Sequence, residues 1–358
     1  MRLSADDIEP LVIGGSLLGG GGGGDPALGR RFARMALDLG TPEIIPLEAL
    51  PTEATVVTVA LVGAPSAPEQ HVTPEDLARA VRLLQETFGV RAAALNGNEN
   101  GGFASVNGWV QSAVLGIPLV DAPCNGRAHP TALMGAMGLH RVPGYLSRQA
   151  AVGGAGGRRL EVTVAGSVEG ASALVRQAAV QAGGVVGVAR NPVEAGYLAA
   201  HGAPGAIAMA RRLGQAVLEA LPQGGEAAWS AAAGILGGTV VDVGRILRVN
   251  LAMAGGFDRG TVIVRTSRTY ELSVWNEYMT LERDGRRLAT FPDLIATLAE
   301  SGLPLTSAEL REGMTVALLT APRERLLLGA GVRDAELLRA AGEVIGKDLS
   351  RPNGSGES

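Results

Sequence analysis

Apolar and polar residues fall in alternating blocks along the first two-thirds of the chain. Thr55–Val62 is an unbroken β-type apolar run, the pattern of a strand buried on both faces. Val90–Leu95, Ile117–Val120, Leu160–Val164 and Val185–Ala189 read as further strands. Between them lie helical segments with start and stop signals. A short helix covers Ser4–Ile13. Asp25-Pro26 pairs an N-cap with proline at the first helical position, and the helix it opens runs to about Leu39 before Gly40. Thr73-Pro74-Glu75-Asp76 opens another to about Phe88. Further helices end near Gly116, run from Ser167 to about Ala182, and cover Val193–Leu221. Strands alternating with helices predict an α/β fold, a three-layer parallel-sheet domain over residues 1–237.

The rhythm changes near Gly238. Thr239–Val249, Gly260–Thr266, Tyr270–Trp275, Met279–Arg283 and Met314–Thr320 are short β-type segments separated by turn residues such as Asp284-Gly285. They predict a small, mainly antiparallel, β-barrel-like domain over 238–346, with one short helix at Phe291–Glu300. Residues 347–358 read as a disordered tail.

Composition narrows the function classes. A formal net charge of −4 without a basic block argues against nucleic acid as a partner. No stretch approaches the roughly 20 apolar residues of a membrane helix. The acidic amino terminus carries no secretory signal, and the single cysteine, Cys124, fits a reducing compartment, so the cytoplasm is the expected location. The 52 glycines favour close packing and ligand-wrapping loops.

In open parallel sheets, ligands bind beyond the carboxyl ends of the strands, so the segments that follow each strand are the candidates. Gly63-Ala64-Pro65 follows the first. Asn96-Gly97-Asn98-Glu99-Asn100-Gly101-Gly102 follows the second, and Asp121 to Pro130 (DAPCNGRAHP) the third. Glu99 reads as a general base or as the holder of a substrate N–H, with a surface turn as the plain alternative. Asp121 reads as a partly buried carboxylate, catalytic or paired structurally with Arg127. Cys124 and His129 read as a nucleophile–base pair or, with Asp121 or Glu99, as ligands of a divalent metal such as Zn²⁺; an inert packed thiol is the plain reading. The glycine run Gly19–Gly24 lacks the Lys-Ser/Thr of a phosphate loop. Gly22, Gly23, Gly24 and Asp25 read instead as a close-approach loop for a small polar or anionic ligand, although Asp25 equally serves as a helix cap. With Gly63, Asn98, Gly101, Gly102, Asn125, Gly126 and Arg127 they form the expected binding set. Asn276 and Glu277, beside Trp275, are placed to cover the site from the second domain.

These loops resemble the S-methyl thiohydantoin desulfurase-like family, whose members are often encoded beside hydantoinase/oxoprolinase subunits. The likeness rests on Gly24-Asp25-Pro26, Gly63-Ala64-Pro65, Glu99 with Gly101-Gly102, and Asp121 with Gly126-Arg127-Ala128 and Pro130. It continues in Asn276-Glu277 and Pro292-Asp293-Leu294-Ile295. The resemblance implies an α/β domain joined to a small β domain, and a small-molecule substrate of the hydantoin or thiohydantoin type hydrolysed by this chain. A hydantoinase/oxoprolinase-like subunit is the implied protein partner; a homo-oligomer and a non-catalytic or metabolite-binding role are the alternatives. The chain departs from the family pattern at Asn100, Asn125 and His129, within the ring-binding loops.

Overall fold

Seven strands of the first 194 residues form one sheet. They are β1 (Ile44–Ile45), β2 (Thr55–Gly63), β3 (Ala94–Gly97), β4 (Leu119–Val120), β5 (Ser147–Gly153), β6 (Leu160–Gly166) and β7 (Val185–Glu194). The order across the sheet is β1-β4-β3-β2-β7-β5-β6. The β1, β4, β3 and β2 neighbours pair in parallel. From β2 onward, β7, β5 and β6 pair antiparallel, so the sheet is mixed rather than wholly parallel. In this computed structural model, residues 1–63, 71–254 and 257–350 are described; Ala64 and Pro65 lie outside them.

The helices are α1 (Ile8–Gly19), α2 (Pro26–Leu39), α3 (Pro74–Phe88), α4 (Trp109–Leu115), α5 (Val168–Gln181), α6 (Ala195–His201), α7 (Ala206–Ala220), α8 (Gly225–Leu236) and α9 (Ala335–Ile345). Helix α1 runs six residues beyond its expected end at Ile13, through two glycines. The cause is close packing. A Cβ on Gly14 would stand 2.7 Å from the carbonyl carbon of Ala210, and one on Gly214 the same distance from that of Pro10. Glycine therefore lets α1 and α7 touch backbone to backbone, a tertiary gain that offsets its poor helix propensity.

The remainder forms an eight-stranded antiparallel sheet, β8 (Thr239–Ala254), β9 (Phe257–Arg265), β10 (Thr269–Trp275), β11 (Glu277–Arg283), β12 (Arg286–Thr290), β13 (Leu294–Ala299), β14 (Pro304–Leu305) and β15 (Thr315–Ala321). Its order is β12-β11-β10-β9-β8-β15-β13-β14, and the end strands do not pair with each other among the described residues. The expected helix at Phe291–Glu300 is instead β13, registered antiparallel to β15 from Leu294↔Ala321 to Ala299↔Val316. A short, mostly apolar run carries no period that separates helix from buried strand; burial between two partners decides. Of the carboxyl-terminal residues, Lys347 bonds Glu282 and Glu271 at 2.8 and 3.0 Å, and residues 351–358 lie outside the described part. Among the described residues no helix is long and apolar enough to cross a membrane.

Candidate functional site

A cleft of about 550 Å³ opens where the two sheets meet, within the roughly 300–1,000 Å³ of typical small-molecule sites. Gly21–Asp25 form one wall, the Asn98-Glu99 loop the floor, and His129–Ala132 a second wall. Asn276-Glu277 and Thr306–Glu309 close it from the β domain. Gly63 also lines it.

The glycine wall exists because α1 ends in a left-handed residue, Gly20 (φ 54°), and the chain then reverses through Gly21, Gly23 and Gly24, all at positive φ. The wall is held by Gly101 and Gly102. These two lie behind it rather than in the cleft, with Gly102 backing onto Pro26 and Ser16. Asp25 caps α2, accepting from Ala27 N at 2.8 Å, and its residue stands at the cleft wall.

Glu99 follows β3 on a loop fixed by Asn100, whose amide donates to Ala206 O (2.8 Å) and Gly126 O (3.2 Å). Its carboxyl accepts from His129 N at 3.2 Å, and its Oε2 lies 3.1 Å from His129 Nε2. Both side chains are nearly sealed from solvent. Burial pushes the Glu99 carboxyl up to about 8, against the His129 N–H, Arg190 and Arg127, which pull it down. Burial, aided by Arg190, lowers the His129 imidazole to about 3. At neutral pH the imidazole is therefore uncharged and the carboxyl is protonated, or shares its proton.

Glu277 faces the same space. Burial raises its carboxyl well above the usual carboxylate range, the nearby Glu99 raises it further, and its Oε2 has no hydrogen-bond partner. Arg127 supplies the compensating charge from behind. Its guanidinium lies 4.5 Å from the Phe291 ring centre and donates to Pro292 O at 3.1 Å and to Asp293 O. Burial lowers it to about 10, and Glu277, Asp293 and Glu99 hold it up. The cleft thus contains two buried carboxyls within electrostatic reach of each other, beside a neutral imidazole and over a buried cation.

Several expected residues are elsewhere. Asp121 does not reach the cleft and does not pair with Arg127. Its carboxylate accepts from Ile207 N (2.7 Å) and Ala208 N (3.0 Å) at the start of α7, satisfying backbone donors that the helix leaves open. Cys124 and His129 do not form a nucleophile–base pair. The thiol contacts Thr58 Oγ1 (3.3 Å) and Asn96 Nδ2 (3.5 Å), and burial pushes it up, so thiolate is disfavoured. Asn125 and Gly126 serve the frame: Asn125 joins Arg127 O to Gly329 N, and Gly126 packs on Leu327. Among the described residues, no three His, Cys, Asp or Glu side chains cluster closely enough to hold a metal.

Arg190 and Arg176, both lining the cleft, were not among the sequence candidates. Arg190 lies within β7, which continues to Glu194 instead of stopping at Ala189. An arginine directly after the apolar run Val185–Ala189 was the available signal; it reads as the end of the strand when only hydrophobicity is followed.

The crystal structure of a protein from Chromobacterium violaceum superposes with a TM-score of 0.74 over 100% of both chains at 22% identity, which establishes a common fold. No curated protein matches the chain. The family model for the S-Me-THD-like N-terminal domain matches residues 6–158, and that for the S-Me-THD-like C-terminal domain matches residues 167–330. Since the two together span nearly all of the folded chain, this protein belongs to the S-Me-THD-like family.

Proposed function

We propose that this protein is a hydrolase of S-methyl thiohydantoin-type rings. The observation that carries this reading is the pair of buried carboxyls, Glu99 and Glu277, facing one cleft. Water adds to the ring carbon that bears sulfur, the C–S bond breaks, and methanethiol leaves with one of the water's two protons; the other ends on the ring nitrogen of the former C=N bond, giving the hydantoin carbonyl and N–H. The reaction needs one group to accept a proton from water and another to protonate the departing sulfur.

Glu99 suits the first role. A base whose pKa of about 8 lies near neutral pH combines a populated carboxylate with real proton affinity. The His129 backbone N–H, which donates to Glu99 Oε2 at 3.2 Å, stabilises the carboxylate before it takes the proton. Glu277, held protonated by burial and by its neighbour Glu99, suits the second role. After one turnover the proton moves from Glu99 to Glu277, directly or through water, and the pair is reset. Arg127 keeps a cation beneath both carboxyls through the cycle.

The test is thiol release from a 5-substituted S-methyl thiohydantoin, followed with a thiol reagent. E99Q and E277Q should each lower kcat by about 100-fold or more while retaining the wild-type far-UV circular dichroism. Wild-type turnover in both variants would exclude this assignment. Binding without turnover in the wild-type protein would favour a metabolite-binding role.

A further inference from the structure

Three cross-strand neighbours extend the cleft floor beyond the two carboxyls. Arg190 on β7 is registered opposite Thr58 on β2 and opposite Gln149 on β5. Residues directly opposite one another project to the same face of a sheet, so the three side chains form a row. At one end of the row Thr58 contacts Cys124. At the other, Gln149 Nε2 donates to Ser172 Oγ at 3.1 Å. Ser172 is thereby held as an acceptor, and its own O–H remains available to donate into the cleft it lines.

Arg190 is only 6% exposed and lines the cleft, yet no carboxylate or carbonyl of the described residues accepts a hydrogen bond from it. A buried guanidinium without a partner is costly, and such groups are matched by ions or ligands. One turn along α5 from Ser172 stands Arg176, also in the cleft wall and also without an ion pair among the described residues. Its guanidinium stacks on Phe257, 4.7 Å from the ring centre, which fixes its plane. Arg176 is close enough to disfavour the charge of Arg190 slightly. Of the acidic groups of the wall, Glu99 offsets part of the Arg190 charge from a distance without an ion pair; Glu309 is engaged by Thr306, Asp25 caps α2, and Asp258 makes no ion pair among the described residues. A cleft of about 550 Å³ is also far larger than a five-membered ring requires.

We infer that Arg190, Arg176 and Ser172 form a carboxylate subsite, so that the preferred substrate is a hydantoin-type ring carrying a short anionic side chain. This rests on the hydrolase reading for the identity of the ring, but the anion subsite stands on its own geometry. A carboxylate bridging the two guanidiniums receives charge-assisted hydrogen bonds from both and one from Ser172. The ring then lies next to Glu99, whose charge Arg190 already feels, with Glu277 in the same cleft.

Calorimetric titration of the full chain with hydantoin-5-acetate and with its methyl ester tests the subsite. The acid should bind at least about tenfold more tightly than the ester, and added salt should narrow that ratio. R176Q, at a partly exposed position where folding should be retained, should reduce the ratio to about threefold or less, with S172A reducing it less. Equal binding of acid and ester, no binding of either, or a ratio unchanged in R176Q would overturn the subsite. Thiol release from an uncharged 5-methyl S-methyl thiohydantoin, measured in parallel, keeps the two proposals apart. Turnover there with no preference for the acid removes the subsite alone. A preference for the acid with no turnover of charged or uncharged thiohydantoins removes the hydrolase reading alone.

Discussion

Gly22 and Glu277 meet where the glycine loop passes the first residue of β11: a methyl group on Gly22 would stand 2.7 Å from the Glu277 carboxyl carbon. The contact joins the two halves of the chain at the proposed proton donor. It also explains why a residue without a side chain is needed at a position where the backbone φ is ordinary.

G22A should therefore act on chemistry more than on folding. The added carbon displaces the Glu277 carboxyl from its buried position, and overpacking of this kind costs about 1–3 kcal/mol. We expect a fall in kcat of about tenfold or more with a cooperative melt retained. A variant that keeps wild-type kcat would show that the position of Glu277 does not matter to the reaction.

Stability should pass through a maximum in mildly acidic solution. Glu99 holds its proton in the folded state up to about 8, whereas an unfolded glutamate releases it near 4.5. The folded state thus binds more protons across that interval, and stability falls as pH rises through it, by up to about 1.4 kcal/mol per pH unit. Glu277 is shifted in the same direction. His129 has the opposite sense: its folded value is lowered from 6.5 to about 3, so stability is lost as pH falls below about 6.5. Urea unfolding at pH 6 and pH 8.5 checks the alkaline limb. E99Q should flatten it, and an identical slope in wild type and variant would refute the raised carboxyl.

Asp121 should behave as a cap. D121A leaves Ile207 N and Ala208 N without their acceptor and should cost about 0.5–2 kcal/mol. Since the carboxylate lies away from the cleft, turnover per folded molecule should stay within about twofold of wild type. A large loss of kcat at full folding would return Asp121 to the catalytic set.

Cys124 should be dispensable for chemistry. Its thiol is buried against Thr58 and Asn96 and is disfavoured as thiolate. C124S should retain kcat within about twofold, and iodoacetamide should label the native protein slowly. Rapid labelling accompanied by loss of activity would contradict this placement.

The sequence by itself determined the two textures of the chain, the helix starts at Asp25 and Thr73, and the polar loops that follow β3 and β4. Those features depend on local chemistry: caps satisfy backbone donors, and continuous apolar runs form buried strands wherever they land. The family resemblance was legible for the same reason, since its motifs are short segments around Gly24, Glu99, Arg127 and Glu277. Tertiary structure alone decided which of those groups share a cleft. Asp121 and Glu99 occupy equivalent places after neighbouring strands, yet α7 packs over one of them and takes its carboxylate. Glu277 is about 180 residues from Glu99 in the chain, and only the docking of the antiparallel sheet brings their charges together. Arg190 reads locally as the end of a strand; its position in a buried row between Thr58 and Gln149 comes from register, which is set by pairing across the sheet and not by its neighbours in sequence.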